Sequence, residues 1–203
     1  MEIKLKRYML NSSLLSTIVG GLIASATAYL VTKKTYDDQV KQAEKTEEQL
    51  IKGLLQSIHD EVETVYERYL ETMGGKLESL NEMEPLIIIY PLVSDFFSVY
   101  NGNSFLIGRI SNNDLRKKII KTYTLAKGMV DSFRLNNDLV NKYEYAYFLY
   151  SESQSDVHKN QMSAHYQSLI NYASTLKHAH NEFKKEVSSL LRDLRKAGVL
   201  NEE

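Results

Sequence analysis

The last third of the chain carries one uninterrupted apolar register. Its positions alternate spacings of four and three residues, at Met162, Tyr166, Leu169, Ala173, Leu176, His180, Phe183, Val187, Leu190 and Leu194. This spacing is typical of a helix that packs its seam against another helix. Because a helix is only marginally stable alone in water, the seam requires a partner helix, from the same chain or from another. We predict that a helix interface is formed by Leu169, Leu176, His180, Phe183, Val187, Leu190 and Leu194.

The rest of the chain also favours helices. The 203 residues include only two prolines and nine glycines. A second register precedes Gly74-Gly75, at Ile51, Leu55, Ile58, Val62, Val65 and Tyr69. The run LIIIY between Pro85 and Pro91 is compatible with a strand or with a buried helical turn. A third helical face begins at Leu115 and continues to about Tyr150, past a predicted break at Asn136-Asn137, and Ser155 is the expected cap of the last helix.

The first part of the chain is the most apolar. No charged residue occurs between Arg7 and Lys33, and a helix of this length reaches across a hydrocarbon core of about 30 Å. We therefore predict a transmembrane helix over 9–32. The alternatives are a cleavable signal peptide, with Ala26-Thr27-Ala28 as the cleavage site, and a buried helix of a soluble protein.

Small residues recur within this segment at intervals of four. They are Gly20, Gly21, Ala24, Ser25 and Ala28, with Thr17. Small side chains at this spacing allow two helices to approach closely. We name Gly20, Gly21, Ala24, Ser25 and Ala28 the small-residue seam and interpret it either as a dimer contact or as an ordinary feature of an apolar helix.

These elements predict an all-α fold, with one N-terminal transmembrane helix followed by a helical bundle with coiled-coil-like seams. The predicted domains are a basic tail (1–8), the transmembrane helix (9–32), a polar helical stalk (33–50) and the bundle (51–203). Lysines and arginines flank the apolar segment on both sides and leave its orientation nearly undetermined. The expected location is a membrane that this helix crosses once.

A resemblance is found in YNGNSFLIGRISNNDLRKKIIKTYTLAKGMVDSF, residues 100–133. Together with the N-terminal apolar helix, it resembles a group of small, uncharacterised bacterial single-pass membrane proteins with a C-terminal helical domain. The resemblance implies a bacterial or prophage protein, some of whose relatives are suspected to act in phage defence. It also implies a single-pass location in the bacterial inner (plasma) membrane, with a slight preference for a cytoplasmic body. It brings no catalytic residues. We name Asn101, Gly102, Gly108 and Ser111 the elbow. Gly108 is expected either to take a left-handed conformation or to admit a close backbone, and Ser111 is expected to cap the next helix.

Composition argues against several classes of function. The net charge of −1 lacks the basic excess of a phosphate-backbone binder, and the absence of cysteine removes disulfides and thiolate metal sites. His178 and His180 would lie about 200° apart on a helix, so they do not share a metal. The carboxylates of Asp60, Glu61, Glu63, Glu67 and Glu71 are interpreted as a solvated face. We predict no catalytic, cofactor or metal site, no nucleic acid and no small-molecule substrate.

The sequence therefore favours an interaction or sensor protein rather than an enzyme. The expected mechanism is helix-mediated assembly at the membrane, with the lipid bilayer and a second copy or another protein as partners. One alternative is a toxic effector that perturbs the bilayer. Another is an exported helical binding domain, released after Ala28.

Overall fold

The computed structural model describes residues 2–91 and 97–198, with side chains from Ser16 onward. Its elements are α1 (Glu2–Tyr69), a π-helical turn (Leu70–Gly74), α2 (Gly75–Ser79), α3 (Ser98–Gly102), α4 (Ser104–Ile107), α5 (Asn113–Ser153) and α6 (Asp156–Lys196). These described residues include no strand, so the predicted all-α class is confirmed. The chain divides into two compact units between Leu50 and Ile51.

The first unit, as far as it is described, is the part of α1 that ends at Leu50. Every described side chain from Ser16 to Leu50 is exposed. Two hydroxyl groups of this part donate to the helix backbone, Thr27 Oγ1 to the carbonyl of Ile23 at 2.9 Å and Thr46 Oγ1 to that of Gln42 at 2.8 Å. A side chain bonded in this way leaves the apolar surface around it uninterrupted by an unpaired polar group.

The prediction of a transmembrane helix over 9–32 has to be corrected. Within the part of the chain that the structure describes, no helix is apolar over enough length to cross a bilayer. Five serines and threonines and two glycines dilute the apolar run between Ser16 and Thr32, and residues 9–15 of the predicted span lie outside the described side chains. The expected single-pass location in the bacterial inner membrane, with a cytoplasmic body, is therefore overturned.

The second unit is built on a hairpin of two long helices. α5 and α6 have 41 residues each, which corresponds to a length of about 60 Å. They are joined at Gln154, whose φ of 50° is left-handed, and Ser155 caps α6 by accepting from the amide of His158 at 3.3 Å, as predicted. Ion pairs link the two helices at Lys118 and Asp193 and, at 2.7 Å, at Lys121 and Glu186.

The part of α1 from Ile51 to Tyr69 forms the third side of the core. Its register is buried at Leu55, Ile58, Val62 and Tyr69 and half-buried at Ile51 and Val65. The same core contains residues of all three long helices, among them Ile58, Ile119, Met129, Leu176, Val187 and Leu190. The helical bundle predicted from these periodicities is thus confirmed.

A π-helical turn follows α1 where it meets α6. Gly74 lies at the end of this turn, and a Cβ atom added there would stand 2.7 Å from Leu70 Cδ2 and 3.4 Å from His180 Cε1. The missing side chain therefore permits a close approach between the turn and α6. Turns of this type recur at functional positions in helices, and this one places Tyr69 and Glu78 beside His180.

The segment LIIIY is neither a strand nor a helical turn. It runs extended beside α5, where Asn136 Nδ2 donates to the carbonyls of Leu86 and Ile88, both at 3.2 Å. Asn137 accepts from the amide of Tyr90 at 2.9 Å and donates to its carbonyl at 2.8 Å. The predicted break at Asn136-Asn137 is therefore wrong, because the two amides bind the crossing segment while α5 continues to Ser153.

Candidate interaction surfaces

The apolar positions of α6 from Met162 to Leu194, which we name the α6 register, pack mainly against other helices of the same chain. Its seven predicted interface residues are all buried in the second unit, at Leu169, Leu176, His180, Phe183, Val187, Leu190 and Leu194. Five of them, Leu176, Phe183, Val187, Leu190 and Leu194, belong to one core together with buried residues of α1, α2 and α5. A second copy of the chain would therefore need a different surface, since this face of α6 is already buried at these seven positions.

His180 is the one polar residue of that register, and it is fully buried. Its Nδ1 lies 2.8 Å from the hydroxyl of Tyr69, and its Nε2 lies 3.3 Å from Oε1 of Glu78. Because the carboxylate of Glu78 can only accept, Nε2 is the donor of the neutral imidazole, and Nδ1 accepts from the hydroxyl of Tyr69. The proton of the neutral imidazole is then on Nε2, where it points to the carboxylate.

Glu78 connects this buried network to the surface. Lys184 Nζ donates to the same oxygen, Oε1, at 2.5 Å. The hydrogen bond from Lys184, followed by that from His180, lowers the pKa of the Glu78 carboxyl. The neutral imidazole thus has both nitrogens hydrogen-bonded. Protonation would add a second N–H at Nδ1, and the hydroxyl of Tyr69 would then have to accept a hydrogen bond there instead of donating one.

We expect this arrangement to make the protein less stable in mild acid. Burial lowers the pKa of His180 below its ordinary value of 6.5, against the opposing effect of the hydrogen bond that Nε2 donates to Glu78. The unfolded chain therefore binds more protons here, and the stability contributed is full above pH 6.5 and is lost as the pH falls toward the folded pKa. The loss is at most ~1.4 kcal/mol per pH unit for one proton.

Urea unfolding between about pH 8 and pH 5 measures this dependence. His180→Gln should flatten the curve, because it removes the titrating group while leaving Glu78, Lys184, Lys177 and Tyr66 around the site. His178→Gln is the matched control, since His178 lies on the same helix and is exposed. Equal pH slopes in the wild type and in His180→Gln would contradict the assignment.

The small-residue seam lies in the first unit, on a surface that no described residue covers. A Cβ atom added at Gly20 or Gly21 would meet nothing within 4 Å. The large apolar side chains around the seam are also exposed, at Ile18, Val19, Leu22, Ile23, Leu30 and Val31. Apolar surface of this extent on one helix is typical of a protein that binds a partner there.

The elbow departs from its predicted geometry in two places. Gly108 has ordinary helical angles, φ −61° and ψ −23°, and not a left-handed conformation. Asn112, not Ser111, caps α5, because its Oδ1 accepts from the amides of Asp114 and Leu115, both at 3.1 Å. Asn101 and Gly102 lie at the end of α3. The elbow is thus a compact helical turn whose buried contacts come from Ile107 and Ile110.

The aromatic residues at the closed end of the hairpin are divided between two environments. Tyr143 lies 6.3 Å from Tyr147 and 5.6 Å from Tyr166, measured between ring centroids, so it bridges α5 and α6. Tyr145 and Phe148 are exposed on α5. Residues at this spacing are neighbours on a helix, so the two exposed rings share a face.

Glu61 has a role that sequence reasoning missed. Its carboxylate, interpreted as part of a solvated face, accepts from the amides of Val99 at 2.7 Å and Tyr100 at 3.2 Å. It also accepts from the hydroxyl of Tyr123 at 2.7 Å. One side chain of α1 thus holds both the first turn of α3 and the part of α5 around Tyr123, which are distant from it in sequence and which no local pattern links to it.

No protein-family model matches this chain, and neither a curated protein nor a solved structure matches it. The function is therefore argued from the surfaces described above.

Proposed function

We propose that this protein is a bacterial or prophage interaction protein that acts by self-assembly through its first unit. The contact is formed by the small-residue seam of one copy and the same seam of a second copy. The observation that carries the proposal is the exposed, charge-free face of α1 between Ser16 and Val31. A role in phage defence rests only on the resemblance of residues 100–133 and of the N-terminal helix.

The physical support comes from three properties of this face. It is apolar, so covering it removes hydrocarbon from water and gains about 25 cal/mol per Å². It carries no charge, so two identical faces meet without repulsion. Gly20, Ala24 and Ala28 follow one another at intervals of four, which lets two backbones come close and increases the contact area of the larger side chains beside them.

The second unit offers no comparable surface for self-assembly on α6. The α6 register, the longest apolar register of this unit, is already buried from Leu169 to Leu194. Assembly through α6 would require the bundle to open and would expose its core. Assembly through α1 requires no rearrangement of the bundle, because every side chain from Ser16 to Leu50 is already exposed.

Sedimentation velocity over a range of protein concentrations tests the proposal. The wild type should associate, and Ala24→Glu should weaken the association about 100-fold, because it buries a carboxylate without a partner. Leu22→Glu is the matched control. It adds the same charge two positions away, which is about 200° around the helix, and should have a much smaller effect.

Two results would contradict the proposal. The first is a wild-type protein that stays monomeric at every concentration. The second is an equal loss of association in Ala24→Glu and Leu22→Glu, which would indicate unspecific apolar contact instead of a defined seam. Circular dichroism of each variant should show unchanged helix content, since both substitutions lie on an exposed surface of α1.

A further inference from the structure

The extended segment Leu86–Tyr90 has one bonded edge. Leu86 and Ile88 accept hydrogen bonds from Asn136, and Tyr90 exchanges two hydrogen bonds with Asn137. The carbonyls of Leu86 and Ile88 and both backbone groups of Tyr90 thus face α5, at the spacing of two residues that is typical of an extended strand. The side chain of Leu86 is buried, and those of Ile88 and Tyr90 are half-buried, so the segment is fixed in place.

The opposite edge is unpaired in the described part of the chain. With a period of two, the backbone groups of Ile87 and Ile89 point away from α5, and no hydrogen bond is formed there to any described residue. The Ile87 side chain is 42% exposed and that of Ile89 is 51% exposed. A pre-ordered, uncharged edge of this type is a template for another strand.

The segment has the symmetry that pairing with itself requires. Around Ile88, the sequence places Ile87 against Ile89, Leu86 against Tyr90 and Pro85 against Pro91. In an antiparallel arrangement about a two-fold axis at Ile88, Ile87 of one copy faces Ile89 of the other. Both residues direct their amides and carbonyls to the shared edge, so each facing pair exchanges two hydrogen bonds.

We propose that a second copy of this chain pairs with the Ile87–Ile89 edge in this antiparallel arrangement. The partner is a second copy because an isologous contact requires one self-complementary patch, and this segment is near-palindromic and uncharged. The prolines at both ends lack an amide hydrogen and end the ladder on each side. The contact therefore closes as a pair of strands and does not extend into a larger sheet.

This surface is separate from the small-residue seam and goes beyond the proposed function. The edge is short, and its buried area is far below the roughly 1,200 Å² of a stable standard interface. By itself it gives a weak contact. Its strength increases when two copies are already held together elsewhere, because a second contact then forms at a high effective concentration.

Crosslinking of single introduced cysteines tests the pairing. The chain has no cysteine, so Ile87→Cys supplies a unique thiol in the full-length protein. In the proposed pair the two introduced thiols are on diagonal neighbours at about 7–8 Å, within reach of a short bis-maleimide. Ile120→Cys is the matched control because Ile120, at 43% exposed, is as accessible as Ile87 but lies on α5. We expect a covalent dimer from the Ile87→Cys variant and only background from the Ile120→Cys variant.

A second substitution distinguishes strand pairing from chance proximity. Ile89→Pro, combined with Ile87→Cys, removes one edge amide from each copy and should weaken pairing about 30-fold. It leaves the hydrogen bonds to Asn136 and Asn137 intact. If its helix content falls, Ile89→Lys, which places a charge at the same edge, is used in its place.

The outcomes are distinct from those of the first proposal. An Ile87→Cys dimer that persists in the Ala24→Glu background at high protein concentration shows that the edge pairs independently, even where assembly through α1 has failed. The proposal is overturned if Ile87→Cys crosslinks no more than Ile120→Cys, if it crosslinks to another protein instead of itself, or if a folded Ile89 variant crosslinks undiminished.

Discussion

Truncation of Leu190 to alanine is expected to lower the free energy of unfolding by about 2–5 kcal/mol. Leu190 has an exposure of 0% and lies in the core to which α1, α5 and α6 all contribute. The loss combines the transfer free energy of the deleted methyl groups with a cavity that three packed helices cannot close. For a unit of this size, the melting temperature should fall by about 5–15 °C.

Leu135→Ala is the matched control for this prediction. Leu135 is 46% exposed on α5, so the same truncation removes little buried area and should cost less than about 1 kcal/mol. Thermal and urea unfolding, followed by circular dichroism, measure both variants. A loss at Leu190 no larger than that at Leu135 would show that the α6 register is not packed within the chain as described.

The register itself could be predicted because helix periodicity is a local property. A spacing of four and three places Leu176, Phe183 and Leu190 on one face whatever the tertiary context, and only the identity of the partner helix is left open. The cap at Ser155 was predictable for the same reason, since a cap bonds to an amide within the next turn. The prediction that Ser111 caps α5 was wrong because Asn112, one position later, offers an equally good acceptor and caps the helix instead.

Contacts between distant parts of the chain could not be predicted in this way. Asn136-Asn137 predicts a break in the helix because both residues are poor helix formers. They stay within α5 because their side chains form hydrogen bonds with a segment nearly fifty residues earlier. The charge-free run near the N-terminus predicts a membrane span by its length, whereas the described helix is not apolar enough. The candidate edge at Ile87 and Ile89 required knowledge of which side of LIIIY α5 occupies.

The two proposed contacts make different demands on the chain. The small-residue seam needs only that α1 stays helical between Ser16 and Val31, which local sequence favours. The Ile87–Ile89 edge needs an intact second unit, because Asn136 and Asn137 hold the segment extended only when α5 is in place. Loosening the bundle should therefore abolish crosslinking of the Ile87→Cys variant while association through α1 persists, which links assembly state to the stability of the bundle.

Glu61→Ala is expected to lower the free energy of unfolding by about 3 kcal/mol, more than the loss of any other exposed or half-buried carboxylate. The carboxylate accepts from two amides of α3 and from the hydroxyl of Tyr123. Hydrogen bonds to a charged acceptor are worth more than neutral ones, and the buried phenol would be left with an unsatisfied donor. Glu67→Ala, on the exposed side of the same helix, is the control and should change the stability by less than about 0.5 kcal/mol.

A double-mutant cycle with Tyr123→Phe separates the two parts of this loss. Tyr123 is buried, with a ring centroid 4.0 Å from that of Tyr100, so phenylalanine keeps the packing and removes only the hydroxyl. In that background Glu61→Ala should cost less by about 1–2 kcal/mol, because no phenol is left unpaired. An equal loss of unfolding free energy in both backgrounds would show that Glu61 acts through the amides of α3 alone. The part of α5 around Tyr123 would then be held to α1 by apolar packing instead of by this hydrogen bond.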